Sequence, residues 1–364
     1  GPAWTFDETT GQYYLHSFLR EQPDLNWRNP EVRAAMLDAL RFWLDRGVDG
    51  FRVDVIWLMV KDELLRDNPP NPGYRPGQPE ISRFLQQYSG DQPDVQEVIA
   101  AMRSTVDAYA DRVLIGEIYL PVERLVAYYG KDLSGVHLPF NFQLIHAAWN
   151  AATIADLVRE YEAALPVGGW PNWVLGNHDQ PRIAARIGQV QARNAALLLL
   201  TLRGTPTLYY GDELGIGRVE IPPEAVQDPW EKNEPGLGFG RDPYRTPFQW
   251  DDGPQAGFSE VAPWLPVAPD YPNRNATSEA ADPDSMLNLH RRLIALRGGS
   301  AALAIGAVDG LSSGDDVLTY ERRHGDEHWR IVINFSAEPR TLALDQRGRD
   351  AAIAAACATT HRPP

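Results

Sequence analysis

The sequence predicts an α/β fold: a (β/α)8 TIM-type barrel, here incomplete, followed by a small C-terminal antiparallel β domain. Three observations predict it. From residue 29 to residue 300, short apolar runs rich in β-branched residues alternate with segments that are apolar at helical spacing. These runs change from apolar to acidic or polar at their C-terminal ends, and parallel strands with acids gathered at one end mark a barrel whose active face lies there. After residue 300 the pattern becomes two strands around a tight turn. About five strand–helix units can be counted, where a closed barrel of this kind needs eight.

Residues 1–28 read as extended and loop-like, with short strands at Trp4-Thr5-Phe6 and Tyr13-Tyr14-Leu15. Asn29-Pro30 opens a helix, with asparagine as N-cap, proline at the first helical position and Glu31 in the first turn. Val32, Met36, Leu40 and Trp43 form its apolar stripe, and Gly47 ends it. Val48–Asp54 follows as a buried strand, and a helix is expected from Ile56 to Leu65. The proline-rich stretch 67–80 is a surface loop suited to a pocket mouth. A second helix spans Val95–Tyr109, and a strand spans Arg112–Glu117. Strands at Leu138–Leu144, Trp173–Asp179 and Thr205–Gly211 alternate with helices at Ile145–Leu165 and Ala192–Leu202. Residues 212–285 are rich in Pro, Gly, Asp and aromatics and read as loops on the catalytic side. Asp284 or Ser285 then opens a helix that stops at Gly298-Gly299. Val317–Arg322 and Trp329–Phe335 form a hairpin around His324-Gly325-Asp326. The alanine-rich end, Ala351–Pro364, is assigned no element.

Composition narrows the function classes. A formal charge of −15 with no offsetting basic patch argues against nucleic acid as a partner. The longest apolar run, Ala195–Leu202, is far too short to span a membrane. No basic region followed by an apolar core opens the chain, so a cytoplasmic location is expected. The single cysteine, Cys357, excludes a disulfide framework and a cysteine metal cluster and reads as an inert tail residue. The 11 Trp, 14 Tyr and 11 Phe are plentiful for a soluble chain; most belong in a core, yet flat aromatic faces also suit sugar rings.

The chemistry starts at Gly47–Trp57. Arg52 and Asp54 are two residues apart, so on a strand they point to the same side. At a buried strand end that pair is costly unless its members meet each other or a ligand. It reads either as a structural ion pair or as an arginine holding an ionised nucleophile. Glu117 and Asp179 lie at two further strand ends, 63 and 62 residues on in succession. Three carboxylates in one cleft cannot all ionise easily, and the one forced towards the neutral form can donate a proton. An acid and a nucleophile on either side of an oxocarbenium-like transition state describe a retaining glycosidase. The rival reading, a metal site of three acids, needs more oxygen ligands. Arg52 and His178 favour an organic anion or polyol site instead. No metal and no cofactor are expected.

Gly50-Phe51-Arg52-Val53-Asp54, Gly116-Glu117 and Asn177-His178-Asp179 resemble, in order, the second, third and fourth signature regions of the α-amylase superfamily, glycoside hydrolase family 13. Thr205-Pro206 through Gly215 resembles the family's last-strand segment. Arg241–Trp250, together with Gln12–Phe18 and Gln22–Trp27, resembles the oligo-1,6-glucosidase and α-glucosidase branch. The resemblance covers the chain to about residue 345. It implies Asp54 as nucleophile, Glu117 as general acid/base and Asp179 as transition-state stabiliser. It also implies Arg52 and His178 as sugar- and nucleophile-contacting residues and Arg241 as a substrate-binding arginine. Phe142 is a candidate pocket-wall aromatic, with a plain core role as the alternative; Trp57 and Tyr119 read as structural. Val55, directly after the nucleophile, resembles enzymes of the branch that accept α-1,6 bonds.

The family's first signature region and first three barrel strands have no counterpart here. The resemblance therefore implies an N-terminally truncated chain carrying strands 4 to 8, expected to be inactive and to aggregate on its own. Residues 1–28 would be the remnant of the inserted subdomain, 29–300 the partial barrel and 301–364 the C-terminal β domain. The expected function is retaining exo-α-glucosidase action on α-1,4 and/or α-1,6 bonds of a short oligosaccharide or disaccharide. Transglycosylation, sucrose conversion, an inactive fragment and a non-catalytic relative are the alternatives.

Overall fold

A computed structural model describes residues 2–341. Cys357 and the Ala351–Pro364 stretch lie outside the described residues. The described residues form two compact units, 2–140 with 164–170, and 141–163 with 171–341.

The first unit opens with a hairpin of β1 (Trp4–Asp7) and β2 (Gln12–Leu15), paired antiparallel as the sequence suggests. The helix Pro30–Leu44 begins as expected: the Asn29 carboxamide oxygen accepts the Glu31 N–H at 2.9 Å. Its stripe is corrected in one place. Leu44 is the buried residue of the last turn, while Trp43 is 51% exposed and lies edge-on to Phe42. β3 (Gly50–Val53) pairs in parallel with β4 (Val113–Gly116), and β4 with β5 (Leu138–Pro139). Gly50 is required where β3 meets β4: a Cβ there would stand 2.0 Å from the Val113 carbonyl oxygen. The core of this unit is Val95, Val98, Ile99, Met102 and Val106 of the helix Val95–Asp107, with Leu114 of β4. Each such side chain contributes about 1.5–3 kcal/mol when fully buried.

Several expected elements shrink: the strands expected over Trp173–Asp179 and Thr205–Gly211 are Asn172–Val174 and Thr205–Thr207, and two others change as follows. The helix expected over Ile56–Leu65 is one 3-10 turn, Ile56–Leu58. Beyond it, the Asp62 carboxylate takes the N–H groups of Leu64 and Arg66, and Leu65 turns left-handed at φ 51°, so helical bonding stops. The strand expected over Leu138–Leu144 is Leu138–Pro139; beyond it the Asn141 side chain accepts the Gln143 N–H at 3.0 Å, and a short helical turn, Gln143–His146, follows.

In the second unit the helix expected from Ile145 starts at Ala151 and runs to Ala164, with the Asn150 side chain accepting from the Thr153 N–H. β6 (Asn172–Val174) and β7 (Thr205–Thr207) are parallel neighbours. Among the described residues the parallel strands pair as β3–β4–β5 and as β6–β7. Between β6 and β7 runs the helix Ile183–Thr201, longer than expected and broken at Gly188, whose φ of 80° suits glycine. Ser285 caps the helix Met286–Gly298, accepting the Asn288 N–H. β8 (Ala307–Gly314), β9 (Val317–His324) and β10 (Glu327–Asn334) form the antiparallel sheet, with β9 central. It is fastened to the helix Ile183–Thr201 by Tyr320, whose hydroxyl meets that of Thr201, and by Arg322, which donates to the Thr201 carbonyl. No helix among the described residues is long and apolar enough to cross a membrane.

Candidate active site

In the first unit the parallel pairing of β3 and β4 sets Arg52 opposite Ile115 and Val53 opposite Gly116, which brings the two strand ends level. Asp54 and Glu117 each follow their strand by one residue, and the Glu117 N–H continues the ladder to the Val53 carbonyl at 3.0 Å. Arg52 then reaches both acids. One guanidinium nitrogen, Nη1, bonds Asp54 Oδ1, and the other, Nη2, lies 2.9 Å from Glu117 Oε2. The two carboxylates share this cation but not their surroundings. The Asp54 side chain is 69% exposed; that of Glu117 is 2% exposed.

Burial pushes the Glu117 carboxyl up, to about 7. The Val55 N–H, which donates to Oε2 at 3.0 Å, and the Arg52 charge oppose that rise, while the negative charge of Asp54 adds to it. Val55 makes its contact by standing in the left-handed region, φ 35° and ψ 46°. That conformation is a genuine outlier for a β-branched residue and costs on the order of 1–3 kcal/mol. The turn it creates aims the backbone N–H at Glu117. Beside Asp54 and Val55 lies a cavity of about 130 Å³, walled by Phe18, Leu25, Trp27 and Met59 and with Lys61 at its edge. Lys61 pairs with Asp24 at 3.0 Å, and Asp24 is held in turn by the Ser17 hydroxyl at 2.6 Å.

In the second unit Asn177, His178 and Asp179 lie three to five residues past the end of β6. The Asn177 carboxamide oxygen accepts the Asp179 N–H at 2.9 Å, closing a turn that presents the carboxylate. Asp179 Oδ1 receives Arg241 Nη1 at 2.9 Å and Arg245 Nη2 at 2.6 Å, and Oδ2 lies 3.3 Å from His178 Nε2. Arg241 is itself gripped side-on by the fully buried side chain of Asp228, through Nε at 2.9 Å and Nη2 at 2.7 Å. Burial alone would raise Asp228, but the hydrogen bonds from Arg241 and Trp230 outweigh it and hold the carboxyl at about 2.

The structure therefore brings Arg52, Asp54 and Glu117 together in the first unit, and His178, Asp179 and Arg241 together in the second. Phe142, also in the second unit, is 3% exposed and directly precedes the Gln143–His146 turn. Sequence reasoning missed Arg245 and Asp228. Arg245 lies inside the stretch matched to the glucosidase branch, four residues after Arg241. Asp228-Pro229 carries a helix N-cap signal that does not announce a guanidinium partner. Among the described residues no group of three or more His, Cys, Asp or Glu side chains is placed to hold a metal ion.

These residues sit on a fold that comparison with known proteins assigns to a class. Residues 1–306 match the α-amylase family, described as alpha amylase, catalytic domain, and the chain belongs to that family. It is 34% identical over 368 residues to a probable alpha-glucosidase of Rhizobium meliloti (strain 1021), covering 95% of this chain and 66% of the relative. It is 33% identical over 384 residues to an oligo-1,6-glucosidase of Parageobacillus thermoglucosidasius, covering 94% of this chain and 67% of the relative. Among solved structures it resembles an alpha-glucosyl transfer enzyme, XgtA, with a TM-score of 0.87 and 36% identity over 94% of this chain and 66% of that one. The chain spans 59% to 66% of the length of the first curated relatives it matches.

Proposed function

We propose that this chain is part of a retaining exo-α-glucosidase that cleaves α-1,4 and α-1,6 bonds of short glucosides through a covalent glucosyl–enzyme intermediate. The observation that carries the reading is the unequal pair on Arg52: an exposed carboxylate held by a guanidinium beside a buried one pushed up to about 7. Two carboxyls whose environments differ in this way divide into nucleophile and acid.

In the first step an Asp54 oxygen forms a bond to the anomeric carbon. The bond to the leaving oxygen breaks, and that oxygen takes the Glu117 proton. In the second, Glu117 accepts a proton from water, the water oxygen bonds the anomeric carbon, and the ester to Asp54 is released. Arg52 stays bonded to both acids as charge moves between them. Asp179 is assigned to the sugar hydroxyls, where its hold strengthens as positive charge grows on the ring. Arg241 and His178, its neighbours, are assigned to substrate binding.

The test is Glu117→Gln in the full-length protein. Turnover of natural disaccharides should fall by roughly 10²–10⁴, while an activated aryl α-glucoside, which leaves with little protonation, should suffer far less. Equal losses on both substrates would remove Glu117 from the acid role. The structural likeness to an alpha-glucosyl transfer enzyme favours a second reading, in which a sugar or alcohol takes the place of water in the second step. Product analysis with maltose or sucrose separates the two: free glucose supports hydrolysis, and new oligosaccharides support transfer.

A further inference from the structure

Arg241 has more donors than Asp179 can use, and their division among partners is set by a residue outside the motifs. Asp228 Oδ2 accepts both Nε and the backbone N–H of Arg241, at 2.9 and 2.7 Å, while Oδ1 accepts Nη2 at 2.7 Å and the Trp230 N–H at 3.1 Å. This side-on fork fixes the plane of the guanidinium and leaves Nη1 directed at Asp179. The Trp230 ring lies 5.9 Å from the guanidinium carbon and further limits its rotation. Asp228 does not float. Asp242, 4% exposed, accepts the N–H groups of Gln227 and Asp228 on one oxygen at 2.6 and 2.8 Å, which pins the backbone that carries it.

We propose that Asp228 is a positioning residue for the Asp179 site: by occupying the Nε/Nη2 edge of Arg241 it makes Nη1 the donor that Asp179 receives. The inference rests on the reading that Asp179 engages the sugar. Without Asp228, the Arg241 fork would be free to close on Asp179 bidentately and compete with the sugar for both carboxylate oxygens. The competing explanation is that Asp228 merely caps the turn Pro229–Asn233 and holds its loop.

A double-mutant cycle in the full-length protein separates these. Asp228→Asn, with folding checked by Tm, should lower kcat/KM for maltose tenfold to a hundredfold, the scale expected when a positioned group is displaced. In an Arg241→Met background the same change should cost less than about twofold, because the residue through which Asp228 acts is gone. Equal losses in both backgrounds would reduce Asp228 to a loop staple and overturn the proposal, as would no loss in either. Arg241→Lys gives an independent arm if Asp228→Asn does not fold. A single ammonium cannot fork onto Asp228 and reach Asp179 together, so Arg241→Lys should lose as much as Arg241→Met; wild-type activity in Arg241→Lys would overturn the proposal. Asp179→Asn is the control for the underlying reading: if it leaves activity intact, the role given to Asp179 fails, whereas its inactivity with additive Asp228 and Arg241 effects refutes the positioning role alone.

Discussion

Replacing Arg52 by methionine removes the cation that Asp54 and Glu117 share while keeping most of the side-chain volume. Glu117 is then left with the Val55 N–H and the unopposed charge of Asp54. An arginine in contact with a carboxylate lowers its pKa by about 1–3 units. Here the contact is direct, 2.9 Å, on a carboxyl that is 2% exposed, while the 30% exposure of Arg52 weakens it through solvent screening. The lower part of that range applies, about one to two pH units, or roughly 1.4–2.7 kcal/mol. The sign follows from which form is charged. Without the cation the carboxylate is disfavoured, the proton is held to higher pH, and the form able to act as an acid persists further into the alkaline range. In the full-length protein, the alkaline limb of kcat/KM for maltose, expected near 7 in the wild type, should therefore move upward in Arg52→Met even as the maximal rate falls. Maltose is the substrate to use because its leaving group needs the proton. A limb that stays in place or moves down would show that Arg52 does not govern Glu117 and would refute the assignment built on their contact.

Further outcomes follow from the same geometry. Val55 walls the cavity beside Asp54, and a wall differing by a methyl or two discriminates by only about 1–3 kcal/mol; isomaltose should be hydrolysed as well as maltose, and a kcat/KM a thousandfold lower for isomaltose would count against this. Arg322 is fully buried and donates to the carbonyls of Thr201, Gly306 and Ala307. Arg322→Met would leave these acceptors unpaired and should cost about 2–4 kcal/mol in denaturant unfolding; a loss below about 0.5 kcal/mol would contradict that account of how the β8–β10 sheet is fastened.

Much of this was legible before any coordinates, and the parts that were share a cause. Strand existence at Gly50–Val53 and Val113–Gly116, the Asn29 and Ser285 caps and the β9–β10 hairpin are local matters of residue chemistry. The acids were legible because each lies just past the end of an apolar strand run. What failed was governed by side chains competing for backbone groups. Asp62 dissolves the helix expected after Ile56, and the Asn141 side chain takes the Gln143 N–H where a strand was expected to continue. The left-handed turn at Val55 runs against the β preference of valine, so nothing local announces it. Asp228 and Arg245 were missed for a different reason: their partners are 13 and 66 residues away in sequence. A carboxylate's choice of arginine over such separations is made by loop folding, which has no periodicity to read.

The central claim is that Asp54 becomes covalently glucosylated, and it can be read by mass. A fluorinated α-glucosyl fluoride, whose ring substituent slows the second step more than it weakens the leaving of fluoride, should accumulate the intermediate in the full-length protein. Proteolysis and peptide mass spectrometry should then place one sugar adduct on the peptide containing Asp54, absent from Asp54→Asn and lost as activity returns. Inactivation with the adduct on Glu117 or Asp179, or steady turnover with no adduct on any carboxylate while Asp54→Asn remains active, would contradict the account.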